Sequence, residues 1–223
     1  MTLSLLRWHS ILVTCLLLCP ISVHAAGTPG TTSAETRALA GDKAAAAAAQ
    51  YYREAMALKA EAWQQQAVLA NSSDTAARNA ALAAQRNAYQ AMINQLRLAL
   101  TIQPRYVEAA TELGYALRQT DNFRKAIGVY NYALGINPEH FAAVEYRGQA
   151  YLADNNIDKA MQDYLILFRH APELADKLMA AMGRWLESQP AASQPADSAG
   201  DFSQWLRERK ALAGPSANRS DRW

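Results

Sequence analysis

A 34-residue period constrains this chain more than any other feature. Between residues 107 and 173, Gly114 recurs as Gly148, Ala126 as Ala160, Tyr130 as Tyr164 and Pro138 as Pro172. The two segments are VEAATELGYALRQTDNFRKAIGVYNYALGINPEH and FAAVEYRGQAYLADNNIDKAMQDYLILFRHAPE. Each holds two apolar-periodic stretches, split by a polar break at Asp121-Asn122 or Asn155-Asn156. A fixed period of this length marks stacked units, none of which buries its own apolar face alone. Gly114 and Gly148 lack a Cβ, so a partner helix can come close there. Ala126 and Ala160 fill the narrow point of the crossing, and Tyr130 and Tyr164 the wider space between units. Pro138 and Pro172 end the second helix of each unit, because proline has no N–H to donate and its ring clashes with the preceding turn.

The residues that carry this pattern are LGYAL, FRKAI, YNYAL and NP in the first unit, and RGQAY, IDKAM, DY and AP in the second. They resemble the tetratricopeptide repeat (TPR) signature, with Leu113, Gly114, Ala126, Tyr130, Ala133, Pro138, Gly148, Tyr151, Ala160, Tyr164 and Pro172 at its structural positions. The resemblance implies an all-α superhelix of antiparallel helix pairs. Many TPR units carry the Arg-Gly variant seen at Arg147-Gly148, often with an acid beside the aromatic of the second helix. Here that acid is Asp163, so an intra-repeat ion pair of Arg147 with Asp163 is expected, since an unpaired buried guanidinium is costly.

The segments outside the two clear repeats set the organisation. Residues 1–25 read as a signal peptide: Arg7 is the positive end, ILVTCLLLCPISV the apolar stretch, and Val23-His24-Ala25 the cleavage signal. The apolar stretch is shorter than the ~20 residues a bilayer span needs. We expect cleavage after Ala25, with an uncleaved anchor as the alternative. Both cysteines, Cys15 and Cys19, lie in this segment, so the mature chain must rely on a packed core and not on disulfides. The alanine-rich, cysteine-free remainder reads as an exported bacterial protein, periplasmic or secreted.

Residues 26–34 read as a linker. Residues 35–103 form an alanine-rich helical hairpin, with Asn71-Ser72-Ser73-Asp74 as its turn and N-cap. The second arm of this hairpin ends at Pro104, 34 residues before Pro138, and Ala99-Leu100 matches Ala133-Leu134, so it contains a degenerate third repeat. Residues 104–188 hold the two clear repeats and a capping helix. Residues 189–200 read as a Pro/Ser/Ala linker, 201–213 as a short amphipathic helix, and 214–223 as a disordered tail. The helix at 173–187 is apolar on more than one stripe, through Leu174, Leu178, Met179, Met182, Trp185 and Leu186. Phe202, Trp205 and Leu206 offer a matching face, so Trp205 is expected to pack on it.

Catalytic chemistry is hard to find. His140 and His170 fall in inter-repeat turns, far apart and without ligand partners at metal spacing. There is no Gly-x-Ser-x-Gly elbow, no phosphate loop and no thiol in the mature chain. We expect no enzyme activity, cofactor, metal or small-molecule substrate. The formal net charge of +2 gives no reason to invoke nucleic acid.

Stacked helix pairs present a concave face lined by the first helix of each unit. Its inward residues are expected to be Thr111, Tyr115, Arg118 and Gln119, then Glu145, Gln149 and Leu152. This mixed surface suits an extended peptide or a partner helix. TPR proteins that clamp C-terminal carboxylates use paired Lys and Asn residues that this face lacks. The expected function is a scaffold binding another protein of the cell envelope, as an adaptor in assembly or secretion. The alternative is a structural subunit that self-associates through the alanine-rich hairpin.

Overall fold

The structure is a computed structural model that describes residues 33–189 and 198–212. The expected signal peptide, most of the first linker, the middle of the second linker and the C-terminal tail lie outside the described residues. Among the described residues, helices joined by short turns are the only regular structure, with no strand. The helices are α1 (Ser33–Asn71), α2 (Thr75–Ile102), α3 (Val107–Gln119), α4 (Phe123–Ile136), α5 (Phe141–Ala153), α6 (Ile157–His170), α7 (Pro172–Ser188) and α8 (Ser198–Leu212). None of them is long and apolar enough to cross a membrane. Two helices start earlier than expected: α1 reaches into the 26–34 linker, and α8 takes the last three residues of the 189–200 linker.

α1 and α2 form an antiparallel hairpin because their shared seam is alanine. Ala48, Ala55 and Ala62 on α1, and Ala81 and Ala88 on α2, repeat at seven-residue spacing and are buried. Small side chains in that register let the backbones approach closely, near enough for Gln85 Nε2 to donate to the Ala62 carbonyl at 3.3 Å. Asp74 closes the turn as the N-cap of α2, accepting from the Ala76 amide at 3.0 Å.

The 34-residue period is visible in the backbone. α3 and α5 begin 34 residues apart, as do α4 and α6. Asp121 and Asn155 adopt left-handed conformations at φ 60° and 58°, where each pair turns back on itself. Asp and Asn tolerate that region better than other residues with a Cβ. Ala126, Tyr130, Ala133, Ala160 and Tyr164 are fully buried, and Leu113 and Tyr151 nearly so. α3 packs on α4 and α5, and α5 packs on α6 and α7, so each first helix touches its own second helix and the next first helix.

Pro138 and Pro172 each fall two residues past the end of a second helix, α4 and α6, and Pro172 also opens α7 at its first turn, where its missing N–H costs nothing. Two expectations need correction. Gly114 admits the Tyr130 ring of its own pair, whereas Gly148 chiefly admits Leu178 of α7, the next first helix. In α8 the anchor is Phe202, with Leu206, and Trp205 is only half-buried. The Phe202 ring meets Trp185 of α7 edge-on at 6.0 Å, while Trp205 stands against Tyr164 of α6 at 5.3 Å. The tail helix therefore docks across both α6 and α7.

A groove between α3, α5 and α7

The expected inward face divides into a closed half and an open half. Thr111 and Tyr115 belong to the closed half. Thr111 is buried, and its hydroxyl donates back to the Val107 carbonyl at 2.9 Å. Tyr115 is covered by α1. Trp63 Nε1 donates to its hydroxyl at 2.8 Å, and the Lys59 ammonium sits 4.3 Å from its ring centroid. Lys59 in turn pairs with Glu112 at 2.7 Å. The Tyr89 and Tyr146 rings enclose Tyr115 further, at 6.0 and 5.6 Å. Tyr115 is thus a core residue and not a docking residue.

The open half is a cleft of about 480 Å³ between α5 and α7, with Glu145, Tyr146 and Gln149 on one wall and Leu174, Lys177 and Arg184 on the other. A smaller cleft of about 190 Å³ adjoins it, bounded by Arg118, Leu152 and Trp185 and sharing Gln149 and Arg184. Of the expected residues, Arg118, Glu145, Gln149 and Leu152 reach these clefts, although Glu145 and Leu152 are floor residues almost fully buried. Gln119 is exposed at the end of α3 and lines neither. Tyr146, Lys177 and Arg184 are the groove residues that sequence reasoning missed. The signal was a one-residue slip. Met182-Gly183 lies 35 residues after Arg147-Gly148, and the same step carries Ala142 to Lys177 and Gln149 to Arg184.

The electrostatics follow from burial. Burial pushes the Glu145 carboxyl above its ordinary value, partly offset by a hydrogen bond from Gln149 and by the charges of Arg118 and Lys177. Burial, with the nearby Glu112 and Glu145 charges, pushes the Tyr146 phenol up to about 12. Arg118 lies along the Tyr115 ring, its guanidinium carbon 5.5 Å from the centroid.

Arg147 and Asp163 stand behind this groove and hold its wall. Arg147 Nη2 and Nε donate to the two Asp163 carboxylate oxygens at 2.6 and 3.0 Å, and Nη1 donates to Asn131 Oδ1 at 2.7 Å. One guanidinium thereby joins α5 to α6 and to α4 of the preceding pair. Burial lowers the Arg147 pKa, but the Asp163 hydrogen bonds and charge outweigh it and hold the group above its usual range. Neither histidine approaches the groove walls: His170 stacks on the Phe141 ring at 5.7 Å, and His140 precedes α5. Among the described residues, no group of three or more His, Cys, Asp or Glu side chains is arranged to hold a metal ion. The arrangement offers hydrogen-bonding groups, cations and aromatic edges along one cleft. No family model matches the chain, and no curated protein is significantly similar to it.

Proposed function

We propose that this chain is an exported TPR-type α-solenoid that binds another protein in the groove between α3, α5 and α7, as a scaffold of the cell envelope. The open α5/α7 cleft carries this reading. Its two helices approach closely because Gly148 makes room for Leu178, yet the side chains above that contact splay apart and leave polar groups lining a space. The repeat spacing of helix starts, left-handed turns and buried alanines and tyrosines supports the TPR assignment. The leader pattern of residues 1–25 supports export to the periplasm. The alternative, self-association through the hairpin, is weakened by the burial of Ala48, Ala55 and Ala62 against α2, since the alanine face suited to a second copy is already occupied.

The test is site-specific photo-crosslinking in cells that make the protein. A photoreactive residue at Gln149 should give a discrete adduct with a partner. The same residue at Arg124, exposed on α4, should not. Equal adducts from both positions, or adducts only from Arg124, would move the interaction off the groove.

A further inference from the structure

The charge pattern of the open groove goes a step beyond the proposed function, on which it rests. Three cations converge there: Arg118 from α3, and Lys177 and Arg184 two turns apart on one face of α7. The ion pairs among the described residues lie elsewhere, joining Lys59 to Glu112, Arg124 to Asp154 and Arg147 to Asp163. None of the three groove cations is in one. The Arg118 Nε is buried and makes no well-formed hydrogen bond among the described residues, although the Tyr130 hydroxyl lies beside it, so the outer guanidinium nitrogens are the ones that can face the groove. The acid of the groove, Glu145, is a floor residue that already accepts from the Gln149 amide nitrogen. Even with Glu145 ionised, the groove keeps a positive excess.

We infer that the groove takes an extended acidic segment of its protein partner, with side-chain carboxylates meeting Arg118, Lys177 and Arg184. Like charges gathered around one cleft repel each other, and an anion relieves that repulsion while gaining the focused field of a partly desolvated site. Gln149 gives its N–H to Glu145, which leaves its carbonyl oxygen to accept a backbone N–H from an extended chain. Leu152, Leu174 and Trp185 supply apolar wall between the charges, which suits carboxylates alternating with apolar side chains. A phosphate backbone fits less well, because its regular charges call for a long basic track and this patch ends after three cations.

Fluorescence anisotropy on the full chain tests this with three labelled, C-terminally amidated ten-residue peptides. All share the same apolar residues, alternating with Glu, Gln or Lys. The Glu peptide should bind at least ten-fold tighter than the Gln peptide and weaken as salt rises. Lys177→Gln with Arg184→Gln should erase that ten-fold preference. Arg97→Gln with Arg105→Gln, an equal loss of charge at exposed positions outside the groove, should leave it intact. Circular dichroism should show the same helicity for both double variants. Glu and Gln peptides binding alike would overturn the inference, as would a control variant that weakens binding as much as the groove variant. A Lys peptide that binds best and is lost with Gln149→Ala would keep the groove and refute the acidic partner. A labelled single-stranded oligonucleotide binding tighter than the Glu peptide, through Lys177 and Arg184, would replace it with nucleic acid. Absence of any peptide binding, together with silent crosslinks from Gln149, would remove the groove itself.

Discussion

Four helical glycines should respond to alanine in opposite directions, and the structure sets the signs. A Cβ on Gly114 would lie 2.5, 2.7 and 2.8 Å from three ring atoms of Tyr130. That ring is fully buried and has the Tyr146 ring 6.3 Å away, so it cannot swing clear. A Cβ on Gly148 would lie 2.6 and 3.0 Å from the two terminal methyls of Leu178, the far end of a flexible side chain that yields more cheaply than a ring although it too is fully buried. At Gly128 and Gly135 nothing lies within 4 Å. Alanine in a helix interior gains about 1 kcal/mol over glycine, whereas overpacking a tight core costs roughly 1–3 kcal/mol. Gly114→Ala should therefore lose a net ~1–2 kcal/mol, taking the upper part of that range less the propensity gain. Gly148→Ala should come out near zero. Gly135→Ala should gain roughly 0.5–1 kcal/mol. In a chain of this size, 1 kcal/mol moves the melting temperature by about 2–4 °C. Thermal melts followed by circular dichroism at 222 nm should rank Gly114→Ala lowest and Gly135→Ala above the parent. A Gly114→Ala protein as stable as the parent would refute the close approach of α3 and α4.

Asp163→Ala leaves the partly buried Arg147 guanidinium without its carboxylate and with Asn131 still accepting from it, and should cost about 3 kcal/mol, the low end for a buried pair, whereas Arg147→Met with Asp163→Leu should recover most of it in urea melts. Because burial raises the Glu145 carboxyl, the folded chain holds a proton that the unfolded chain releases near pH 4.5. Its contribution to stability is thus greatest below that pH and declines as pH rises through the folded value, so the melting-temperature advantage of Glu145→Gln over the parent should grow from pH 4.5 to 7; a constant difference would contradict this. Phe202→Ala removes the buried ring that seats α8, worth roughly 1.5–3 kcal/mol, and should speed tryptic cleavage at Arg207 and Arg209 at least ten-fold. Trp205→Ala, at a half-buried ring, should do less, and equal rates for both variants would return the anchor to Trp205.

Residues whose environment follows from the 34-residue spacing were legible in the sequence, and those set by contacts outside it were not. The burial of Ala126, Tyr130, Ala160 and Tyr164 and the turns at Asp121 and Asn155 repeat with that period, and the pairing of Arg147 with Asp163 spans 16 residues. The closing of half the inward face arises from Lys59 and Trp63, which reach Glu112 and Tyr115 across 53 and 52 residues. Nothing local to α3 announces that Tyr115 is covered, since an inward tyrosine suits a docking surface and a packed seam equally well. The α7 cations fall one position outside the 34-residue register, and the dense apolar side of α7 masks them in the sequence. The same slip bears on Gly148, where the larger neighbour turned out to be Leu178 of α7.

Trp185 ties the tail helix to the groove. One edge of its ring meets Phe202, and the residue also walls the smaller cleft beside Arg118, Gln149 and Arg184. α8 rests on Tyr164 of α6 and on Trp185 of α7, so it covers the exposed end of the stack from the side of the second helices and leaves the α5/α7 cleft open. At the other end, α1 does close the inward face, through an ion pair, a hydrogen bond and a cation over an aromatic ring. The two ends are therefore finished differently. One is sealed by long-range contacts that fill the inward face, and the other is sealed behind it. This asymmetry leaves the stretch from Arg118 to Arg184 as the open part of the inward face, where Arg118, Lys177 and Arg184 lie outside the ion pairs found among the described residues.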